Sequence, residues 1–251
     1  MPTIDENLAW WGTTYHWSQG GDEWSREWGT PDAQWYGSIL PRIHAFVPAV
    51  TILEIAPGFG RWTHYLRTLC SSLVLVELNA RCIDACRRRF ADEHHIAYHV
   101  TDGRSLEMVA DRTVDFAFSF DSLVHAELDV LDAYLEQLAR KLTIDGVGFL
   151  HHSHLAAYED AGLEIPFNKQ WRAPTVSAER VRECCRSHGL ACPSQEIVNW
   201  ENDYLSDVFS VITPAGSPWD AEERVHENPR FMLEAEMVAA TAPLYSRWRT
   251  G

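Results

Sequence analysis

Three short stretches carry residue types that suit the binding of an adenosine-containing cofactor. Glu54-Ile55-Ala56-Pro57-Gly58-Phe59-Gly60 follows an apolar run, Glu77 closes a second apolar run, and Asp102-Gly103 follows a third. Gly58 and Gly60 lack Cβ, so the backbone there turns tightly and approaches a ligand closely. A helix starting near Arg61 would turn its free N–H groups into the same crevice, where they favour a carboxylate or another anion. An acid at the end of the second strand is placed to accept hydrogen bonds from ribose hydroxyls. Each feature alone is an ordinary turn or a solvated strand end; their succession at three strand ends is the signal. A nicotinamide dinucleotide fits less well, because the fingerprint Gly-x-Gly-x-x-Gly meets Thr63 at its third position.

A second group could move protons. Asp121 and His125 follow the fourth apolar run, Val114–Phe120, and stand four apart, so a helical turn would put them on one face. Histidine with an ordinary pKa near ~6.5 suits proton removal near neutrality. His125 is therefore expected to act as general base, with Asp121 orienting it or the substrate; the alternative is a histidine packed under the sheet. His151-His152-Ser153-His154 ends the fifth run, and strand alternation pairs His152 with His154, opposite His151. The pair could join the base or hold a divalent metal. A metal is not favoured, since no separated acidic triad accompanies it.

The elements that must position these groups alternate. Strands are expected at 51–56, 73–78, 96–100, 114–120 and from Gly146 to His151, and helices from Arg61 to about Leu69, over Ala80–Phe90 and near Val130–Leu142. Ser177–His188 reads as a helix, followed by strands Ala191–Asn199 and Ser206–Ile212. Strands separated by helical stretches of about 10–15 residues imply right-handed crossovers and a doubly wound sheet. The fold class is thus α/β, with a mostly parallel seven-stranded sheet and an antiparallel C-terminal hairpin. Six of the eleven tryptophans lie within the first 36 residues, and an amphipathic helix over Asp32–Ala49 follows them. The expected division is a tryptophan-rich N-terminal lid (1–48), a cofactor-binding core (49–213) and a peripheral tail (214–251) with a helix near Pro229–Ala240.

The sequence resembles the class I S-adenosylmethionine-dependent methyltransferases, particularly small bacterial enzymes of natural-product and sugar modification. The resemblance runs from about Trp28 to Ile212. Its carriers are ILEIAPGFGRWTHYL (52–66), LVLVELNARCIDACRRRF (73–90), YHVTDGRSL (98–106), the segment 114–142 and GVGFLHHSHL (146–155). It implies that S-adenosylmethionine lies against Trp28, Trp35, Glu54, Ala56, Pro57, Gly58, Gly60, Arg61, Glu77, Leu78, Asp102, Gly103 and Phe120. One departure is Ala56, which stands where the family has the first glycine of its turn. The expected reaction is methyl transfer to a hydroxyl of a small polar acceptor, a sugar or natural product. The alternatives are an amine acceptor such as an amino sugar, and an S-adenosylmethionine-binding protein without turnover.

Bulk composition narrows the partners. The formal net charge is −15, with 36 acidic against 21 basic residues, and such a field repels phosphate backbones and anionic lipid. Nucleic-acid and membrane roles are disfavoured, and no apolar run approaches the ~20 residues of a spanning helix. The Arg87-Arg88-Arg89 run reads as a solvated helix face. Six cysteines without a Cys-x-x-Cys pair, and no secretion signal, suit a reduced cytoplasm. A homodimer is compatible with all of this.

Overall fold

The computed structural model describes residues 3–166 and 168–245. Its centre is one eight-stranded sheet in the order β3-β2-β1-β4-β5-β7-β6-β8. Strands β1 (Ala49–Ile55), β2 (Cys70–Glu77), β3 (Ile96–Val100), β4 (Val114–Ser119) and β5 (Leu142–Ser153) run parallel. β6 (Leu190–Asn199) and β7 (Leu205–Pro214) form the expected antiparallel hairpin, with β7 beside β5. The sequence pattern counts seven strands. The eighth, β8 (Arg224–Asn228), is short, polar and exposed, so it carries no alternation to betray it; it pairs parallel with β6 at the edge.

The chain leaves β1 toward β2 and β3, then returns past β1 to β4 and β5. The reversal opens a crevice at the carboxyl ends of β1 and β4, where ligands of open α/β sheets bind. The glycine turn and the 120–125 loop therefore become neighbours, and the Ser122 hydroxyl donates to the Ala56 carbonyl at 2.8 Å.

Two apolar layers hold this arrangement. On one face α6 (Leu128–Lys141) and α8 (Ala178–Ser187) bury Leu131, Leu135, Leu138, Val181 and Cys185 against Leu53, Ile55 and Ile212. On the other face, an aromatic layer of Phe116, Phe118, Phe120, Phe149 and Phe209 meets Trp28, Trp35 and Phe231. α5 (Ala80–Arg89) shows the helix logic plainly. Asn79 caps it by accepting from the Arg81 N–H, Cys82, Ile83, Ala85 and Cys86 face inward, and the three arginines lie exposed in its last turn. There they complement the negative end of the helix dipole.

The single amphipathic helix expected over 32–49 is broken. Pro31–Gln34 is α-helical, Trp35–Ile39 is a wider π-type turn, and Leu40–Ile43 is α-helical again. The segment after Pro214 is tied to the body. Phe231 and Ala235 of the C-terminal helix (Phe231–Tyr245) are fully buried, and Arg42 bridges Glu196 at 2.6 Å and Glu234 at 2.9 Å. Among the described residues, no helix is long and apolar enough to cross a membrane.

Candidate active site

At the crevice lies a cleft of about 710 Å³, lined by the glycine turn, the ends of β2 and β4, and aromatic residues of the N-terminal segment. Its backbone is strained. Among the described residues, five non-glycine residues have positive φ, and four of them line this cleft: Ala56 (57°), Asp121 (59°), Trp171 (57°) and Glu201 (52°). Such conformations persist only where surrounding contacts over-determine them, and they cluster at functional sites. Ala56 is the residue that departs from the family's turn. It occupies a left-handed position that favours glycine, held by its own N–H to the Val76 carbonyl at 2.8 Å and by the Ser122 hydroxyl.

The cofactor half fits an adenosyl sulfonium. Gly58 has φ 58° and its N–H donates to Glu77 Oε2 at 3.1 Å, while the Asn79 N–H donates to Oε1 at 3.0 Å. Burial pushes the Glu77 carboxyl up, and these two backbone donors oppose the shift. Gly60 has no room for a side chain, since a Cβ there would stand 2.6 Å from the Phe90 ring. Ala56, Pro57, Gly58, Arg61, Glu77, Leu78, Gly103 and Phe120 line the cleft.

Four cofactor expectations need correction. Glu54 lies behind the turn, buried, taking the Thr63 hydroxyl at 2.6 Å; burial pushes its carboxyl up to about 8. Asp102 folds its carboxylate back onto the Arg104 and Ser105 N–H groups at 2.9 and 2.8 Å, and is absent from the cleft wall. Trp28 donates to Ser38 and packs on Trp200, and Trp35 stacks on Tyr65 at 4.7 Å; both belong to the core. The tryptophans that reach the cleft from the N-terminus are Trp10, Trp11, Trp17 and Trp24. Trp17 stacks on Phe59 at 4.5 Å, nearly parallel, directly over the glycine turn. The Asn7 side chain donates to the His125 carbonyl at 2.9 Å and takes the Trp11 indole N–H at 3.1 Å, so this segment bridges both halves of the cleft.

His125 lies in a short 3-10 turn, Leu123–His125, and lines the cleft. Its Nδ1 stands 3.0 Å from the Trp171 carbonyl oxygen. A carbonyl only accepts, so Nδ1 carries the proton and Nε2 keeps its lone pair. Burial, with the Arg172 guanidinium, pushes the imidazole down to about 4, and it is neutral at pH 7. Asp121 does not orient it. The Asp121 carboxylate instead takes Arg61 Nη2 at 2.9 Å and stands 3.8 Å from Arg172 Nη2.

The histidines of β5 also differ from expectation. His152 and His154 do share a face, but it is the face under α8. His152 bonds Ser153 O and Ser210 Oγ, each at 2.8 Å, and His154 Nδ1 takes the Ala178 N–H at 3.1 Å. Burial pushes them down to about 3 and about 4, and neither lines the cleft. The opposite residue, His151, approaches the site from below. Its Nδ1 takes the Asp121 N–H at 3.0 Å and its Nε2 donates to the buried Asp207 at 2.9 Å. Asp207 pairs in turn with Arg172 at 2.9 Å, which holds its carboxyl well below the usual range. Sequence reasoning missed Trp171, Arg172 and Asp207, which stand far from any motif. Among the described residues, no group of three or more His, Cys, Asp or Glu side chains could hold a metal ion.

Residues 52–146 match the family described as Methyltransferase domain. No curated protein matches the chain. A solved S-adenosylmethionine-dependent methyltransferase from Leishmania major shares the fold at TM-score 0.62 and 15% identity, over 84% of this chain and 82% of that one. The PH0226 protein of Pyrococcus horikoshii OT3 superposes at TM-score 0.55 with 19% identity, covering 76% and 98% respectively. The N-methyltransferase NodS of Bradyrhizobium japonicum does so at 0.56 with 15% identity, covering 74% and 97%. Residues 52–146, which span the central strands, thus match a methyltransferase domain, and the chain shares its fold with solved S-adenosylmethionine-dependent methyltransferases.

Proposed function

We propose that the enzyme methylates a hydroxyl of a small polar acceptor, a sugar or sugar-bearing natural product, with His125 as the proton acceptor. The observation that carries this reading is a cleft-lining imidazole, neutral at pH 7, whose Nδ1 is tied to the Trp171 carbonyl so that Nε2 is the free base. S-adenosylmethionine supplies an already electrophilic methyl group, so the protein's tasks are positioning, water exclusion and proton removal. Gly58, Glu77, Leu78 and Gly103 would hold the donor, and Trp17 would cover it.

An imidazole with a pKa of about 4 is a weak base. It suffices here because the acceptor oxygen becomes strongly acidic as its bond to the methyl carbon forms. The proton then passes to Nε2, and the C–S electron pair stays on sulfur. The acceptor end offers tryptophan faces from Trp10, Trp11 and Trp171 with Lys169, Gln170 and Glu201 beside them. Apolar ring faces with polar edges suit a sugar, whose C–H faces stack on aromatics while its hydroxyls bond the edges. An amine acceptor has less support, since the carboxylate beside the 122–125 turn, Asp121, is already paired with Arg61.

The test is transfer of a labelled methyl group to a panel of glycosides and amino sugars, with wild type and His125→Ala. Loss of about 10²–10⁴-fold in turnover on a hydroxyl substrate, with affinity for S-adenosylhomocysteine within about twofold, is expected. Undiminished turnover would remove His125 from this role. Label appearing only on amines would replace the hydroxyl acceptor, and donor binding without any transfer would favour a non-catalytic binder.

A further inference from the structure

The geometry points to Asn168 and the left-handed Trp171 as positioning residues that set which nitrogen of His125 carries the proton; this inference rests on His125 acting as the base. A bulky aromatic at φ 57° is a rare conformation that the chain does not adopt without support. The support is visible on both sides of Trp171. Asn168 forms a reciprocal clasp around it: its Oδ1 takes the Arg172 N–H at 2.7 Å and its Nδ2 donates to the Arg172 carbonyl at 2.6 Å. The Arg172 guanidinium is anchored on the fully buried Asp207. The Ala173 N–H donates to the Val124 carbonyl at 2.8 Å, tying the same loop to the turn that carries His125.

These contacts leave the Trp171 carbonyl aimed at His125 Nδ1 at 3.0 Å, while the indole ring stands 5.8 Å from the imidazole and 6.4 Å from Trp10. One strained residue thus has two tasks. Its carbonyl fixes the Nδ1–H form and keeps the Nε2 lone pair free, and its ring walls the acceptor end. Which ring nitrogen is protonated in a histidine is decided by the hydrogen bond the other makes. Without a fixed carbonyl, the imidazole can place its proton on Nε2, where it blocks acceptance of another. The clasp is a longer-range device than the Asp121–His125 pairing that sequence spacing suggests. It draws on a side chain three residues before the carbonyl that it aims.

The tautomer is read by long-range proton–nitrogen NMR on the full chain with ¹⁵N-labelled histidine, recorded with and without S-adenosylhomocysteine. The His125 signals are assigned by their loss in His125→Gln. Wild type is expected to show Nδ1–H with an unprotonated Nε2. Asn168→Ala should convert His125 to the Nε2–H form or to a mixture. Turnover should fall about tenfold to a hundredfold, with affinity for S-adenosylhomocysteine within about twofold. Asn168→Asp, which keeps the oxygen that takes the Arg172 N–H, should recover part of the Nδ1–H population. Trp171→Gly adopts positive φ freely and retains the carbonyl, so it should keep Nδ1–H even though the aromatic wall is lost. The inference is overturned by an Nε2–H form in wild type, by an undisturbed Nδ1–H form in Asn168→Ala, or by its loss in Trp171→Gly. The tautomer readouts need no acceptor. Failure of the donor to bind would sink the proposed function and leave the tautomer result standing.

Discussion

Glu54→Gln tests the reassignment of Glu54 from cofactor ligand to buried structural group. The carboxyl is buried beneath the glycine turn with the Thr63 hydroxyl at 2.6 Å, and burial raises its pKa from 4.5 to about 8. The sign follows from linkage. Between those two values the unfolded chain has released the proton that the folded chain retains, so stability falls as pH rises. Each pH unit in that window costs the native state about 1.4 kcal/mol. From pH 5 to pH 8 the wild type therefore loses about 3–4 kcal/mol that a neutral glutamine does not lose. The amide carbonyl can take the Thr63 hydrogen bond, and any constant cost of burying the amide cancels when the two pH values are compared. Glu77, which burial also pushes up, is present in both proteins, and its charge is a lesser cause of the Glu54 shift than burial. Urea unfolding of both proteins at pH 5, 6, 7 and 8 provides the assay. The difference in unfolding free energy between variant and wild type should grow in the variant's favour across the series, while calorimetric affinity for S-adenosylhomocysteine stays within about twofold. Parallel curves, staying within about 1 kcal/mol of a constant offset, would refute the argument from burial. A large loss of affinity would return Glu54 to the cofactor site.

Two further outcomes are expected. Gly60→Ala places a methyl group 2.6 Å from the Phe90 ring and 3.2 Å from Cys86 Sγ at φ 85°. Overpacking and left-handed strain should together cost about 2–4 kcal/mol, lowering the melting temperature by about 5–15 °C, and a shift under about 2 °C would contradict the packing described. The pH–rate profile follows from a His125 pKa of about 4. Protonation removes the base only below that value, so turnover should be level from about pH 5.5 to 7.5 and show no inflection near an ordinary histidine's ~6.5; an acid limb centred there would contradict a buried, neutral imidazole.

The glycine turn and the strand-end acid of the cleft were legible because their determinants are local. Gly58 and Gly60 mark a turn that needs positive φ, and Glu77 stands at the end of an apolar run whose length sets where the strand stops. Order along the chain, strand then helix then strand, is enough to bring Ala56, Glu77 and Gly103 to one edge, since parallel strands present their carboxyl ends together. The alternation in β5 likewise correctly separated His151 from His152 and His154. Periodicity says which residues share a face and nothing about which face meets the cleft. That phase was decided by α8 and β7, where Ala178 and Ser210 supply partners for His154 and His152, and Asp207 supplies one for His151.

The acceptor half depended on tertiary structure almost throughout. Six tryptophans stand near the N-terminus, but composition could not sort Trp28 and Trp35, which pack into the sheet's aromatic layer, from Trp10, Trp11, Trp17 and Trp24, which line the cleft. The strain at Trp171, the neutralisation of Asp121 by Arg61 and the tautomer of His125 arise between segments distant in sequence. Hydrogen bonds and ion pairs of that kind have no sequence period. They exist only once the sheet has brought the 121–125 turn, the 168–173 loop and β7 together.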